Sequence, residues 1–289
     1  MILVTGASGN VGGAVLASVL KSGLPAAAMY LSESDARTAP VNARVVIADF
    51  KDKQSLRRAF ENVDALFLVC APIPELVELE GNAIEVAREL GIKHVVKNSS
   101  AGAGRWDKSF PQWHAEVERL LQTSGVGHSI VRPNSFMQNI TAFFAGTIQT
   151  QDAFYNSMGT SRVSLVDVRD IADVVSSLLA SGKPENRIYE LHGPDALTYD
   201  EVAERVSKIC GRTIRYIDIP MSDQKKALVG SGMPDWQAQA LIDLQDYYRH
   251  GYGGECNDEI RLVTGHIPRT FDRFLEENAA AFSKRAATA

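Results

Sequence analysis

The sequence predicts an α/β protein built on a doubly wound parallel sheet, with a smaller and mainly helical C-terminal lobe. Three observations carry that expectation. Short β-rich runs alternate with helical patterns through the first half, a glycine-rich turn follows the first run directly, and helical patterns dominate the last third.

The β-rich runs lie at 2–5, 27–31, 44–48, 65–69, 94–97 and 129–132. Such alternation reads as βαβ units, in which each intervening helix returns the chain for another parallel strand. After Pro74, residues Leu76, Val77, Leu79, Ala83, Ile84, Val86, Ala87 and Leu90 recur near helical spacing, and Gly91 supplies a left-handed stop. A further helix starts near Pro111, where Ser109 and Gln112 have capping-box spacing, and ends around Ser124 and Gly125. The chain then makes an excursion near 150–166, including a short strand at 163–166. A helix from near Asp170 and a strand at 187–191 return it to the first domain. From Thr198 onward, three or four helices and one strand at 213–219 form the second lobe. The expected domains are therefore 1–193, a nucleotide-binding domain, and 194–289, a substrate-binding lobe.

The glycine turn is the most informative motif. Gly6-Ala7-Ser8-Gly9-Asn10-Val11-Gly12 stands between a strand and the apolar-periodic run Val15, Leu16, Val19, Leu20. Glycines there allow a tight turn, close backbone approach to a diphosphate and close helix–strand packing, while the helix N-terminus offers free N–H groups. The spacing is G-x-x-G-x-x-G rather than G-x-G-x-x-G, so position gives it weight. The reading is a Rossmann-type dinucleotide site at Gly6, Ser8, Gly9, Asn10, Val11 and Gly12.

An acidic residue at the end of the second strand holds the ribose of NAD, and arginine nearby suits the phosphate of NADP. Here that strand ends Met29-Tyr30-Leu31-Ser32-Glu33. Ser32 and Arg37 suit a 2′-phosphate and Glu33 suits NAD; the balance favours NADP(H) over NAD(H). Asp49 and Phe50, after the third strand, are placed to meet the adenine, although a loop carboxylate and a core aromatic would look the same. Cys70, Ala71 and Pro72 follow the fourth strand, and Asn98, Ser99 and Ser100 the fifth. These are the carboxyl ends at which open α/β sheets bind ligands.

Composition narrows the partners. With 45% hydrophobic and 22% charged residues the chain is an ordinary globular one, and a net charge of −5 lacks the positive field that a nucleic-acid backbone requires. No membrane partner is expected: the most apolar stretch, 65–74, falls short of the ~20 residues of a span and contains Pro72 and Pro74. Cys70, Cys210 and Cys256 have no metal-ligand or disulfide-framework spacing, and Met1 is followed at once by Ile2, Leu3 and Val4 without a basic signal-peptide start. A cytoplasmic protein with reduced thiols, no metal and a small-molecule substrate is the expectation; subunit number stays open.

The chain resembles the NmrA-like group of atypical short-chain dehydrogenase/reductases, particularly bacterial quinone and triphenylmethane dye reductases. The resemblance rests on the glycine loop, on Trp113-His114 with Glu118, on Val131-Arg132-Pro133-Asn134-Ser135-Phe136-Met137-Gln138-Asn139, and on Asp167-Val168-Arg169-Asp170-Ile171-Ala172, and it covers nearly the whole chain. It implies a nicotinamide dinucleotide and a substrate cleft between the two lobes. Two departures matter: relatives often place Arg where Leu31 falls, and some carry Lys at the position matching His114.

None of the eight tyrosines is followed by Lys four residues later, so the usual Tyr/Lys acid–base pair is absent. His114 is the candidate catalytic residue. It is four residues from Glu118 on one helical face, so the carboxylate could orient the imidazole or raise its pKa. Its role is either proton donation after hydride transfer or positioning of the cofactor amide. Pro133, Asn134 and Phe136 are candidates for the cofactor; Asn134, Phe136, Gln138, Tyr155 and Trp236 for the substrate, with Met158 adding to the apolar wall; Trp113 reads as core. The expected activity is NAD(P)H-dependent hydride transfer to a small, largely apolar planar acceptor of quinone, dye, imine or enone type. The alternative is a non-catalytic redox sensor.

Overall fold

The computed structural model describes residues 1–284. β1 (Ile2–Val4) passes through the glycine turn into α1 (Asn10–Lys21), followed by β2 (Ala26–Tyr30), β3 (Arg44–Ile47) and α2 (Lys53–Phe60). β4 (Ala65–Leu68), α3 (Leu76–Glu89), β5 (His94–Asn98), α4 (Ser109–Thr123) and β6 (His128–Pro133) continue the alternation. The chain then forms α5 (Gln138–Gln151), β7 (Ala153–Asn156) and β8 (Val163–Ser164), and returns through α6 (Val168–Ser181) and β9 (Arg187–Leu191). β10 (Ala196–Leu197), α7 (Tyr199–Cys210), β11 (Arg215–Asp218), α8 (Met221–Gly230), α9 (Asp235–Tyr247), α10 (Glu259–Thr264) and α11 (Phe271–Glu277) follow.

Two compact units divide these elements. The first comprises Met1–Pro133, Val168–Leu191 and Glu259–His266. Its sheet has seven strands in the order β3-β2-β1-β4-β5-β6-β9, and every pairing is parallel. α1 packs on α6, while α2 packs on α3 and α3 on α4, so helices cover both faces. That covering explains the composition of the central strands: Ile2-Leu3-Val4 and Ala65-Leu66-Phe67-Leu68 are buried without interruption, as a doubly covered parallel strand requires. β3, at the edge, exposes Arg44, Val45 and Ile47.

Of the two helix ends that the sequence marks most clearly, one forms as expected and one does not. Gly91 adopts φ +69° just past α3, the left-handed stop its position suggests. The capping box expected at Ser109 and Gln112 does not form. The cap is Lys108, which makes no side-chain hydrogen bond to the helix, and Ser109 is already the first helical residue with φ +45°.

The second unit comprises Asn134–Asp167, His192–Asp258 and, among the described residues, 267–284. The excursion is thus longer than 150–166, and 259–266 lies with the first unit. Arg187 pairs with Glu259, and Asp173 sits 3.3 Å from His266, fastening that segment to β9 and α6. Within the second unit β7 pairs β11 in parallel and β8 pairs β10 antiparallel. Phe144, Phe154, Tyr199 and Tyr216 cluster around β7 and β11 in tilted and edge-on pairs, with Phe144 and Phe154 centroids 4.9 Å apart. Thr198 caps α7 in a full capping box with Glu201. Among the described residues no helix is long and apolar enough to cross a membrane.

Candidate functional site

The order of strand addition reverses at β1: β2 and β3 lie on one side of it, β4 and β5 on the other. Such a switch point leaves a crevice beyond the carboxyl ends of the two central strands. Thr5 holds its edges together. Its hydroxyl meets the Phe67 and Val69 carbonyls at 3.1 and 2.9 Å and accepts the Val69 N–H at 2.9 Å. Gly6 then turns with φ +56°, where a Cβ would lie 2.9 Å from Val69 Cγ1. Gly12 is tighter still: a Cβ there would stand 2.1 Å from the Gly6 carbonyl oxygen, so only glycine lets the first turn of α1 lie against the strand end.

Gly9 caps α1 without a side chain, no acidic residue occupies the first turn, and Ser8, Gly9 and Asn10 are exposed. The leading N–H groups of α1 thus have no side-chain cap to accept from them. An anion is the natural complement, and the residues fit a dinucleotide diphosphate.

The other candidates fall around this crevice with unequal freedom. Ser32 is half-buried, and its hydroxyl donates to Asp35 at 2.6 Å and lies 2.7 Å from that of Ser34. Arg37 is exposed on the short helical turn Asp35–Thr38. Asp49 accepts the Lys51 N–H at 2.9 Å, and Phe50 packs on the core, its carbonyl accepting from Asn82 at 3.0 Å. Ala71 and Pro72 are exposed, while Cys70 is half-buried and burial pushes its thiol up to about 12. Ser100 is half-buried, with its hydroxyl on the Ala101 carbonyl at 3.0 Å. Ser99 is different: its hydroxyl donates to Glu118 at 2.5 Å and its N–H to the Val131 carbonyl at 2.7 Å, so its polar hydrogens serve the fold, not a ligand.

His114 is buried on α4, but its partner is not Glu118. That carboxylate is gripped by Arg132, at 2.8 Å from Nε and 2.5 Å from the terminal nitrogen, and Arg132 also reaches Glu190 at 2.9 Å. A planar guanidinium can satisfy both carboxylate oxygens at once, which an imidazole cannot. Instead Lys97 Nζ lies 3.2 Å from His114 Nδ1 and 2.9 Å from Glu80 Oε2, and it also donates to the Asn98 carbonyl. Lys97 and Glu80 are both 0% exposed. Burial, and then the Lys97 charge, hold the imidazole well below its ordinary value, opposite to the rise that a Glu118 neighbour would give. With an ammonium donor on Nδ1, the neutral ring carries its hydrogen on Nε2. Burial likewise raises Glu80, against the pull of Lys97. Glu80 closes the connection to the crevice by accepting the Cys70 N–H at 3.0 Å.

Neither Glu80 nor Lys97 was singled out by motif. The signal was present nonetheless: a lysine inside a central parallel strand and a glutamate among Leu76, Leu79 and Ala83 on a buried helix face both demand partners.

In the second unit, Asn134 is fully committed. Its amide donates to Ser164 at 2.7 Å and to the Gly253 carbonyl at 2.9 Å, and its oxygen accepts the Ser135 N–H at 2.8 Å. It therefore ties two loops together and has no hydrogen left for a ligand. Pro133, ending β6, accepts the Ala101 N–H at 3.1 Å. Phe136 forms a bridge to Val166, and Gln138 donates to Asp167 at 3.0 Å. Tyr155 and Met158 line an apolar cavity of about 480 Å³ walled by α5, β7, α8 and α9, together with Phe144, Tyr199 and Tyr248. Trp236, 37% exposed on the first turn of α9, lies outside that lining.

Comparisons with known proteins place the chain in a family. The model of the NmrA-like family matches residues 1–275. The chain is 34% identical to the NAD(P)H azoreductase of Xenophilus azovorans over 98% of this chain and 99% of that protein. The NADPH-dependent quinone oxidoreductase of Escherichia coli, solved in complex with NADPH, superposes with a TM-score of 0.87 at 24% identity, over 97% of this chain and 99% of that one. The triphenylmethane reductase of Citrobacter with NADP(H) gives 0.86 at 22%, over 96% and 100%. These two structures share the fold; the extent of the family match and the azoreductase identity establish kinship. The chain belongs to the NmrA-like family.

Proposed function

We propose that this protein is an NAD(P)H-dependent reductase that passes hydride to a small, largely apolar planar acceptor. The observation that carries the reading is the uncapped, acid-free N-terminus of α1 behind a glycine turn at the switch point of the sheet. Support comes from the azoreductase that is 34% identical over almost the whole length.

When bound, the nicotinamide supplies the hydride; the chain's residues bind and orient. The loop Gly6, Ser8, Gly9, Asn10, Val11 and Gly12 holds the diphosphate. Asp49, Phe50, Cys70, Ala71, Pro72 and Ser100 line the strand ends around it, with Pro133 at the end of the sixth strand. At the end of β2 the hydroxyls of Ser32 and Ser34 and the exposed Arg37 favour the 2′-phosphate of NADP(H), with Asp35 opposing it. His114, neutral and fixed by Lys97, donates a hydrogen bond from Nε2 and serves as an orienting or polarising group. Tyr155 and its neighbours receive the acceptor. The free thiols of Cys70, Cys210 and Cys256 suit a reducing compartment such as the cytoplasm.

The test has two parts. Calorimetry with the four nicotinamide dinucleotides is expected to give binding, tighter for the phosphorylated pair. Absorbance assays with quinone, azo, triphenylmethane, imine and enone acceptors are expected to oxidise NADPH. Binding without oxidation by any acceptor would overturn the catalytic reading in favour of a dinucleotide sensor.

A further inference from the structure

The buried cluster of the first unit has a chemical capacity that orientation alone does not use. His114 is held neutral by burial and by the Lys97 charge. A neutral imidazole is a very weak acid at its N–H, because loss of that hydrogen alone leaves an anionic ring. It becomes a competent acid only if the other nitrogen takes up a proton in the same step.

A group able to deliver that proton already faces the right nitrogen. Lys97 Nζ lies 3.2 Å from His114 Nδ1, and its further partners are the Asn98 carbonyl and Glu80 Oε2, the latter at 2.9 Å. Lys97 and Glu80 are both 0% exposed, and Glu80 is anchored by the Cys70 N–H at 3.0 Å. A buried ion pair is often no more stabilising than apolar side chains of similar volume, so stability does not account for a lysine in a doubly covered strand. The far side of the ring is different. Nε2 makes no hydrogen bond among the described residues, and it is not one of the sealed polar atoms that lack a partner; His114 keeps 7% exposure.

We infer that Lys97 is the proton source of the reaction and that His114 carries its proton outward. The inference rests on the reductase reading above. Hydride reaching a neutral carbonyl, azo or enone acceptor leaves an electron pair on oxygen or nitrogen. That atom takes the hydrogen from Nε2 while Nδ1 takes one from Lys97, so the Nε2–H and Nζ–H bonds break as the bond to the acceptor and the Nδ1–H bond form. Lys97 is left as a neutral amine beside the Glu80 carboxylate. A solvent proton then binds Nε2, and Nδ1 returns its own to Lys97. The cycle consumes one proton from water and needs no second path into the interior.

Two measurements on the full chain test this. ¹⁵N NMR of the unmodified protein, with His114→Gln to assign the ring, is expected to show hydrogen on Nε2 and an unprotonated, hydrogen-bonded Nδ1. Hydrogen on Nδ1 would overturn the inference, since that nitrogen could then receive nothing. The second measurement uses the double variant Lys97→Met, Glu80→Gln, which removes both charges together and keeps an acceptor for the Cys70 N–H. A neutral azo dye needs hydride and a proton, whereas a cationic triphenylmethane dye is neutralised by hydride alone. The ratio of kcat for the azo dye to kcat for the cationic dye is expected to fall about 100-fold in the variant, the scale of general acid catalysis. An unchanged ratio would overturn the inference, because lost positioning slows both dyes alike. The spectrum of the unmodified chain decides even if the variant fails to fold. An Nε2–H ring in a chain that oxidises NADPH with neither dye would remove the reductase reading instead, leaving the Lys97–His114 hydrogen bond in place.

Discussion

His114 sits where its ring can act only as a neutral group. Burial and Lys97 both oppose its protonation, so a donor Nε2–H persists across the neutral range and turnover should not follow a histidine titration between pH 6 and 8. His114→Ala is expected to lower kcat about 100-fold, as removal of one preorganised donor does, with little change in cofactor affinity. A kcat that is unchanged would remove the residue from the chemistry. Lys97 supports it. Lys97→Met leaves Glu80 buried without its counter-ion and should cost about 3–5 kcal/mol in urea unfolding, with Glu80→Gln in the same chain restoring much of the loss.

A second buried histidine adds to the acid sensitivity of the fold. His94 lies in β5 with one ring nitrogen 3.0 Å from Ser129, and burial, then the nearby His128, lower it from 6.5 to about 4. The folded chain therefore binds this proton less readily than the unfolded chain. Its stability contribution is complete above about pH 6.5 and drains away as the pH falls toward 4, amounting to about 3 kcal/mol over that window. His94→Gln should flatten this part of the stability profile in urea titrations at successive pH values; an unaltered slope would place the acid sensitivity elsewhere.

Among elements, the junction of β1 and α1 has least room for change. Gly12→Ala must displace the Gly6 carbonyl, which a Cβ would approach to 2.1 Å, whereas the same change at Gly9 meets that oxygen at 3.3 Å. The first should abolish dinucleotide binding in calorimetry and lower Tm, and the second should weaken binding only modestly. Equal effects would mean that the close packing of helix on strand is not what the loop requires. The helices on the other face illustrate a different rule. α4 offers His114 and Glu118 at ideal spacing for each other, yet each takes a partner from a strand, Lys97 from β5 and Arg132 from β6. Strand residues arriving from below the helix bring a bidentate guanidinium and an ammonium that outcompete a local pair worth a few tenths of a kcal/mol.

At the scale of the whole molecule, the first unit is assembled from three stretches of chain. Glu259–His266 lies against α6 and β9 through the Glu259–Arg187 and His266–Asp173 contacts. A chain ending at residue 193 would lack that segment and uncover buried Ile260's position over α6 and β9. It is expected to unfold at lower urea concentration than a chain in which 259–266 is joined back through a flexible linker. Matching midpoints would show that the segment contributes nothing to the first unit.

The sequence by itself determined what is local. The strands of the sheet, the glycine turn before α1 and the stop at Gly91 are each dictated by a few neighbouring residues whose periodicity or backbone freedom allows little else. Tertiary structure decided what depends on distant partners: that Glu118 belongs to Arg132, that Asn134 braces loops, and that Trp236 stands outside the cavity. Burial is the physical reason. It turns an ordinary lysine or glutamate into a group that must find a counterpart, and that counterpart is fixed by the packing of elements far apart in the chain.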